Sequence, residues 1–265
     1  MRPGLRHQQA MRILVTNDDG IHAPGIAALE RIARQLSDDV WVVAPSDEQS
    51  GAGHSLTLTQ PVRVREVSPR RFAVRFTPTD AVMIALGLIL KDQLPDLILS
   101  GVNRGPNLAE DVTYSGTVSA AMEGTLAGVR SVALSQSTEE RAVGEDAFVA
   151  AEAWGPRVLA GLLRADWPAG VLYNVNFPRP ERGPIQGIKV TEQGFRDYGR
   201  VQIDTRTDLR GFQYHWFGLG RETAEPGHET DLKAMREGYV SVTPLHLDLT
   251  HHASLGPLRA ALAGV

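Results

Sequence analysis

The sequence predicts an α/β fold built on a mostly parallel, doubly wound sheet, followed by an extended C-terminal β-hairpin arm. Three observations carry that expectation. Short apolar runs rich in β-branched residues or Leu are bounded by turn residues, as strands covered on both faces require. Amphipathic stretches with an apolar residue every three or four positions lie between those runs. After Arg179 the texture changes to Gly, Pro and charge, with aromatics in near alternation.

The runs Ile13 to Val15, Val40 to Ala44, Leu97 to Leu99 and Val132 to Leu134 read as parallel strands. Ile26, Leu29, Ile32, Ala33 and Leu36 keep one helical face between the first two, and Val118, Ala121, Met122, Thr125 and Leu126 keep another before the last. Right-handed crossovers then place helices on both sides of the sheet. Thr79 followed by Asp80 and the apolar run to Leu90 predicts a capped, well-buried helix leading through Pro95 into the third strand. A helical region from Glu145 to Ala165 is interrupted by Gly155 and Pro156, and Val171 to Phe177 forms a further strand ended by Pro178. Phe212, Tyr214, Trp216 and Phe217 mark a long hairpin, and Val240, Val242, Leu245, Leu247 and Leu249 a returning extended segment after Gly238. The expected organisation is an N-terminal extension over 1–10, poorly ordered, a catalytic core over 11–190, and an oligomerising arm with its returning segment over 191–265.

Composition narrows the chemistry. The chain has 265 residues, 27 Lys+Arg against 31 Asp+Glu for a net charge of -4, and 42% apolar residues, enough for a sizeable core. The scattered basic residues argue against nucleic acid or a membrane as main partner, although a local basic patch stays open. The absence of cysteine removes thiolate nucleophiles, disulfides and cysteine metal sites, so a metal must sit on oxygen or imidazole. The longest apolar run, Ala81 to Leu90, is about half of what a spanning helix needs, and residues 1–10 lack a secretory core, so a cytoplasmic location is expected.

Ligands of open α/β sheets bind beyond the carboxyl ends of the strands. Three such ends here carry hard oxygen donors or glycines: Asn17-Asp18-Asp19-Gly20, the stretch from Ser46 to Ser50 and Gly51, and Ser100-Gly101-Val102-Asn103. Adjacent carboxylates repel unless a cation or proton lies beside them, and oxygen-only ligands favour Mg²⁺ or Mn²⁺ over Zn²⁺. Alone, Asp18-Asp19-Gly20 reads equally well as a turn with a capping Asp; Ser50 and Asn103, converging from two other strand ends, favour the metal. Tyr114-Ser115-Gly116-Thr117 opens an amphipathic helix whose hydroxyls and free N–H groups suit an anion, although an ordinary N-cap has the same residues. There is no G-x-S-x-G elbow, phosphate-loop lysine motif, dinucleotide fingerprint or H-E-x-x-H pair. His22, His54 and His246 read as site neighbours or structural histidines, and the tandem His251 and His252 as solvated.

The segments Ile13-Leu-Val-Thr-Asn-Asp-Asp-Gly-Ile-His-Ala-Pro-Gly25, Gln49-Ser-Gly-Ala-Gly-His-Ser-Leu-Thr57, Thr77-Pro-Thr-Asp80, Ser100-Gly-Val-Asn-Arg-Gly-Pro-Asn107, Tyr114-Ser-Gly-Thr117, Asn174-Val-Asn-Phe-Pro178 and Glu237-Gly-Tyr-Val-Ser-Val-Thr-Pro-Leu245 resemble the SurE family of stationary-phase survival phosphatases. The resemblance implies a Rossmann-like three-layer core and a metal-dependent 5'-nucleotidase acting on nucleoside monophosphates, extending to 3'-nucleotidase and exopolyphosphatase activity. It also implies a homodimer or homotetramer that exchanges the C-terminal arm. By the same resemblance one divalent cation per subunit, Mg²⁺ or Mn²⁺, is held by Asp18, Asp19, Ser50 and Asn103, while Gly51, Asn107, Ser115, Gly116 and Thr117 surround the phosphate. Asp18 and Asp19 are the candidate catalytic residues, Asp18 being favoured to orient or deprotonate the water. Departures are the N-terminal extension and Arg104, at a position commonly small in relatives. Two other schemes fit parts of the pattern: a phosphatase in which Asp18 attacks phosphorus, and a nucleotide-binding regulatory module without turnover.

Overall fold

The computed structural model describes residues 10–138, 145–197, 201–219, 222–223 and 228–264; the expected N-terminal extension lies almost wholly outside them. The four apolar runs form β1 (Ile13–Thr16), β2 (Val40–Pro45), β5 (Leu97–Arg104) and β6 (Arg130–Gln136), with an edge pair β3 (Val64–Ser68) and β4 (Arg71–Val74) after β2. Between them run α1 (Pro24–Arg34), α2 (Pro78–Ile84) and α3 (Gly116–Leu126), followed by α4 (Val149–Arg164) and β7 (Val171–Phe177). The remaining elements are β8 (Gly187–Val190), β9 (Arg196–Asp197), β10 (Val201–Thr207), β11 (Gln213–Leu219), β12 (Glu222–Thr223), α5 (Asp231–Arg236), β13 (Tyr239–His246) and α6 (His252–Leu262).

Nine strands form one sheet in the order β3-β4-β2-β1-β5-β6-β7-β13-β8. The stretch from β4 to β7 is parallel throughout, whereas β3 and β13 run antiparallel to β4 and β7. The chain leaves β1 toward β2 on one side and reaches β5 on the other, so strand order reverses at β1 and opens a crevice beyond its carboxyl end. α1 and α4 cover one face over Ile26, Leu29, Ile32, Val158 and Leu159, and α2 and α3 cover the other over Ala81, Val82 and Ala120. Each large aliphatic side chain so buried contributes about 1.5–3 kcal/mol. A mostly parallel three-layer α/β core is therefore what the structure shows.

Several local expectations shift. The cap of α2 is Thr77: its side chain accepts the Asp80 N–H while the Asp80 carboxylate accepts the Thr77 N–H, two residues before the cap read from sequence. That helix widens into a π-turn over Ala85–Ile89 and buries only one side, leaving Met83 and Leu88 exposed. α4 continues through Gly155 and Pro156 unbroken, and at Gly155 the side chain of Ile32 in α1 packs so closely that an added Cβ would lie 3.2 Å from its Cδ1. The returning segment, expected alongside the arm, is β13 in the main sheet between β7 and β8, with Val240 and Val242 in the core. The hairpin β10–β11 pairs from Val201↔Leu219 to Thr207↔Gln213, its turn tied by Asp208, whose carboxylate accepts the N–H groups of Arg210 and Phe212. Phe212, Tyr214 and Trp216 stand exposed on it. α6, which no sequence pattern announced, buries none of its residues. Among the described residues no helix is long and apolar enough to cross a membrane.

Candidate active site

The loop after β1 is closed by Asn17, whose amide donates to the Gly20 carbonyl (2.9 Å) while its side-chain oxygen accepts the Gly20 N–H (3.2 Å). Gly20 sits at φ 101°, a left-handed conformation that glycine adopts without strain, and this sends the chain into α1. Asp18 turns inward and is 5% exposed. Its carboxylate accepts the Thr117 hydroxyl at 2.5 Å and the Thr117 backbone N–H, at the first turn of α3. Gly116 makes that approach feasible, since a Cβ there would lie 2.8 Å from Asp18 Cβ. Asp18 thus occupies the helix N-terminus, where free N–H groups and the helix dipole favour negative charge. The side-chain hydroxyl of Ser115 caps the same helix, accepting the Val118 N–H.

Asp19 is half-buried and accepts the backbone N–H of Arg104 at the end of β5, which brings Asn103 to the same rim. The loop after β2 closes the third side: the Gln49 N–H donates to the Asp18 carbonyl (2.8 Å), and the exposed Ser50 donates its hydroxyl to Glu48 (2.8 Å). Three strand ends therefore meet where the sequence placed them. Asn103 is half-buried and donates to the Gly105 carbonyl, and Gly51, at φ 77°, is exposed.

Burial pushes the Asp18 carboxyl up despite the opposing pull of Thr117. Burial, then the neighbouring Asp18 charge, pushes Asp19 up to about 7, the Arg104 N–H acting against it. Glu48, in the stretch of oxygen donors after β2, adds a negative neighbour to both. Such a pair calls for a proton or a cation. Among the described residues no group of three His, Cys, Asp or Glu side chains could hold a metal; a cation at this rim would take the two carboxylates and complete its shell with neutral oxygens. The buried hydroxyls of Thr16, at the end of β1, and Ser100, opposite it in register within β5, have no hydrogen-bond partner among the described residues. The donor set fits a hard divalent cation.

Two residues expected at the phosphate are committed elsewhere. Thr117 spends its hydroxyl and N–H on Asp18. Asn107, 8% exposed, donates its N–H to Asn176 and its amide to Ser135, and its carbonyl accepts from Asn174 and Asn176. It fastens the loop after β5 to the ends of β6 and β7. Farther along, Asp231, its carboxyl raised by burial, accepts the N–H groups of Ala109 and Gly194. Polar residues spaced two apart in the buried strand β7 were the available signal for this framework. His54 pairs with Glu123 at 3.0 Å, and the Asp248 N–H donates to His246; His251 and His252 are exposed.

A parallel sheet that gathers two carboxylates, neutral oxygens and a helix N-terminus at its switch point defines a protein able to hold a hard cation and an anion side by side. The pattern described as Survival protein SurE matches residues 13–200. A 5'-nucleotidase SurE of Rhizorhabdus wittichii is 60% identical over 251 residues, 94% of this chain and 99% of that one. The 5'-nucleotidase SurE of Caulobacter sp. (strain K31) is 53% identical over 258 residues, 96% of this chain and 95% of its own. The crystal structure of the SurE protein from Aquifex aeolicus superposes with a TM-score of 0.80 at 40% identity, covering 94% of this chain and 99% of that one. The chain belongs to the SurE family.

Proposed function

We propose that this protein is a metal-dependent 5'-nucleotidase, hydrolysing nucleoside 5'-monophosphates to nucleoside and phosphate. Relatives bearing that name share 60% and 53% of their residues with it over nearly the whole chain. The observation that carries the reading is the buried Asp18–Asp19 pair, held at a helix N-terminus and at the end of β5. A module that only bound nucleotide would gain nothing from a second carboxylate beside its phosphate. Direct attack by Asp18 on phosphorus is disfavoured, because its carboxylate is buried against Thr117 and Gly116.

Asp18, Asp19, Ser50 and Asn103 would hold one Mg²⁺ or Mn²⁺ per subunit, which would supply charge that polarises the phosphoryl group and makes water more acidic. The residues of the chain do the rest. Thr117 and the α3 dipole hold Asp18 in place and favour its ionised form against the burial that raises its carboxyl. The role favoured for Asp18 from the sequence falls instead to Asp19, the more open carboxylate, which orients the water and takes its proton. Backbone N–H groups at Gly51 and Gly116, with the Ser115 hydroxyl, receive phosphate oxygens, each such donor being worth a few kcal/mol, roughly 3, in the transition state. Asn107 keeps the loop after β5 at the right depth. The catalytic core over 11–190 takes in β13 from the returning segment, so that of 191–265 the hairpin β10–β11 is the arm through which a homodimer or homotetramer forms in the cytoplasm; the exposed rings of Phe212, Tyr214 and Trp216 support that arm.

Phosphate release from AMP and GMP tests the reading. Activity should vanish in EDTA, return with Mn²⁺ or Mg²⁺, and be lost in Asp18→Asn. Undiminished release from chelated protein or from the variant would remove the metal mechanism.

A further inference from the structure

Beyond the carboxylate rim, the edge pair β3–β4 gathers positive charge that the proposed reaction does not use. In its antiparallel register Arg65 faces Ala73 and Val64 faces Val74, and the Arg75 N–H donates to the Arg63 carbonyl (2.9 Å). Residues opposite one another or two apart share a face, so Arg63, Arg65 and Arg75 all lie on the face opposite Val64 and Val74. All three are exposed. Among the described residues the guanidinium groups of Arg63 and Arg65 have no hydrogen bond or ion pair, and Arg75 lies 4.8 Å from the Phe76 ring centroid. The neighbouring Arg70 and Arg71, by contrast, are neutralised by Asp39 and Glu30. Like charges facing each other across a strand pair cost stability, and Asp47 is the one carboxylate among the residues lining the hollow they share.

The three arginines and Ala73 line an open hollow of about 470 Å³ whose remaining wall is Val64, Ser46 and Asp47. Ser46 and Asp47 begin the loop that continues to Glu48, Ser50 and Gly51. That loop presses on the first one: a Cβ on Gly20 would lie 3.3 Å from the Asp47 carbonyl carbon. The hollow is thus joined to the carboxylate site by one short loop. The small Ala73 leaves room between guanidiniums that can each offer a planar pair of donors to phosphate oxygens.

We propose that Arg63, Arg65 and Arg75 form an accessory anion site for a polyvalent phosphate. The anion is either a second phosphate on a substrate held at the carboxylate rim or a free polyphosphate-type anion that is not cleaved. The substrate arm rests on the nucleotidase reading; the binding does not. Isothermal titration calorimetry with tripolyphosphate in EDTA tests it, comparing wild type with the Arg65→Ala/Arg75→Ala double variant and its Arg65→Lys/Arg75→Lys counterpart. The alanine variant should bind at least about ten-fold more weakly, the lysine variant should keep most of the affinity, and the wild-type affinity should fall steeply with salt. Equal affinity in wild type and the folded alanine variant overturns the proposal.

Hydrolysis of AMP against adenosine 3',5'-bisphosphate then separates the sources. A KM advantage for the bisphosphate that disappears in the alanine variant, with kcat/KM for AMP unchanged, assigns the site to substrate. Lost tripolyphosphate binding with an unchanged KM ratio assigns it to a free anion. Lost binding together with no phosphate release even from the metal-loaded wild type leaves the arginine site standing and removes the nucleotidase reading.

Discussion

Replacing Asp19 with Asn should stabilise the metal-free protein at pH 8 while abolishing its activity, and the magnitude follows from the burial of the pair. Folding moves the Asp19 carboxyl from its ordinary 3.8 to about 7. Between those values the folded state binds a proton that the unfolded chain has released, so stability is greatest below about 4 and is lost as pH rises through about 7. Such a displacement is worth at most about 4 kcal/mol, and the partial exposure of Asp19 screens it to about 2 kcal/mol. Asp18 and Asp231, raised by burial, act in the same sense. Asp248, held at about 2 by the Thr250 hydroxyl and N–H, acts in the opposite sense but only at lower pH. Thermal melts in EDTA from pH 5 to 8 should therefore fall more steeply for wild type than for Asp19→Asn. For a chain of this size the variant should melt about 4–8 °C higher at pH 8. Saturating Mn²⁺ should lift the wild type far more than the variant. Parallel melting curves for the two chelated proteins would refute the idea that the pair is electrostatically strained.

Gly116→Ala places a methyl 2.8 Å from Asp18 Cβ, with little room on the Asp18 side; phosphate release should fall at least about ten-fold. The same change at Gly161 of α4, where a Cβ meets nothing within 4 Å, should be neutral or slightly stabilising in denaturant melts. Deleting Asp208 to Gly220 removes the exposed rings Phe212, Tyr214 and Trp216 and should yield monomers in size-exclusion chromatography with light scattering, whereas an unchanged oligomer would reject the arm as an interface.

The parallel strands were legible because burial on both faces leaves an unmistakable composition: β1 is Ile-Leu-Val-Thr with every residue buried. The rim was legible for a topological reason, since strand ends mark ligand crevices whatever the sequence between them. What sequence could not show is pairing at a distance. Nothing local says that Thr117 gives its hydroxyl to Asp18, 99 positions away, and so its donors read as free for phosphate. The alternation from Val240 to Leu249 announced an extended segment without naming its neighbours, which turned out to be β7 and β8. α6 escaped because the apolar stripe that betrays a helix exists only where a face is buried, and this helix buries none.

That distant bond also decides how the site works. A cation binding between two mobile carboxylates would have to order both, and would spend affinity on doing so. Here the ordering is done in advance. Thr117 and the start of α3 fix Asp18, the Arg104 N–H engages Asp19, and Gln49 ties the Ser50 loop to the Asp18 carbonyl. The two carboxylates are not equivalent as a result: Asp18 is the enclosed one, already hydrogen-bonded to Thr117, and Asp19 is the more open one, pushed up to about 7. Division of labour between neighbouring carboxylates arises wherever environments push their proton affinities apart. Under the proposed reaction that division would leave proton handling to Asp19, and would make Asp18 the residue whose removal takes the site's geometry with it.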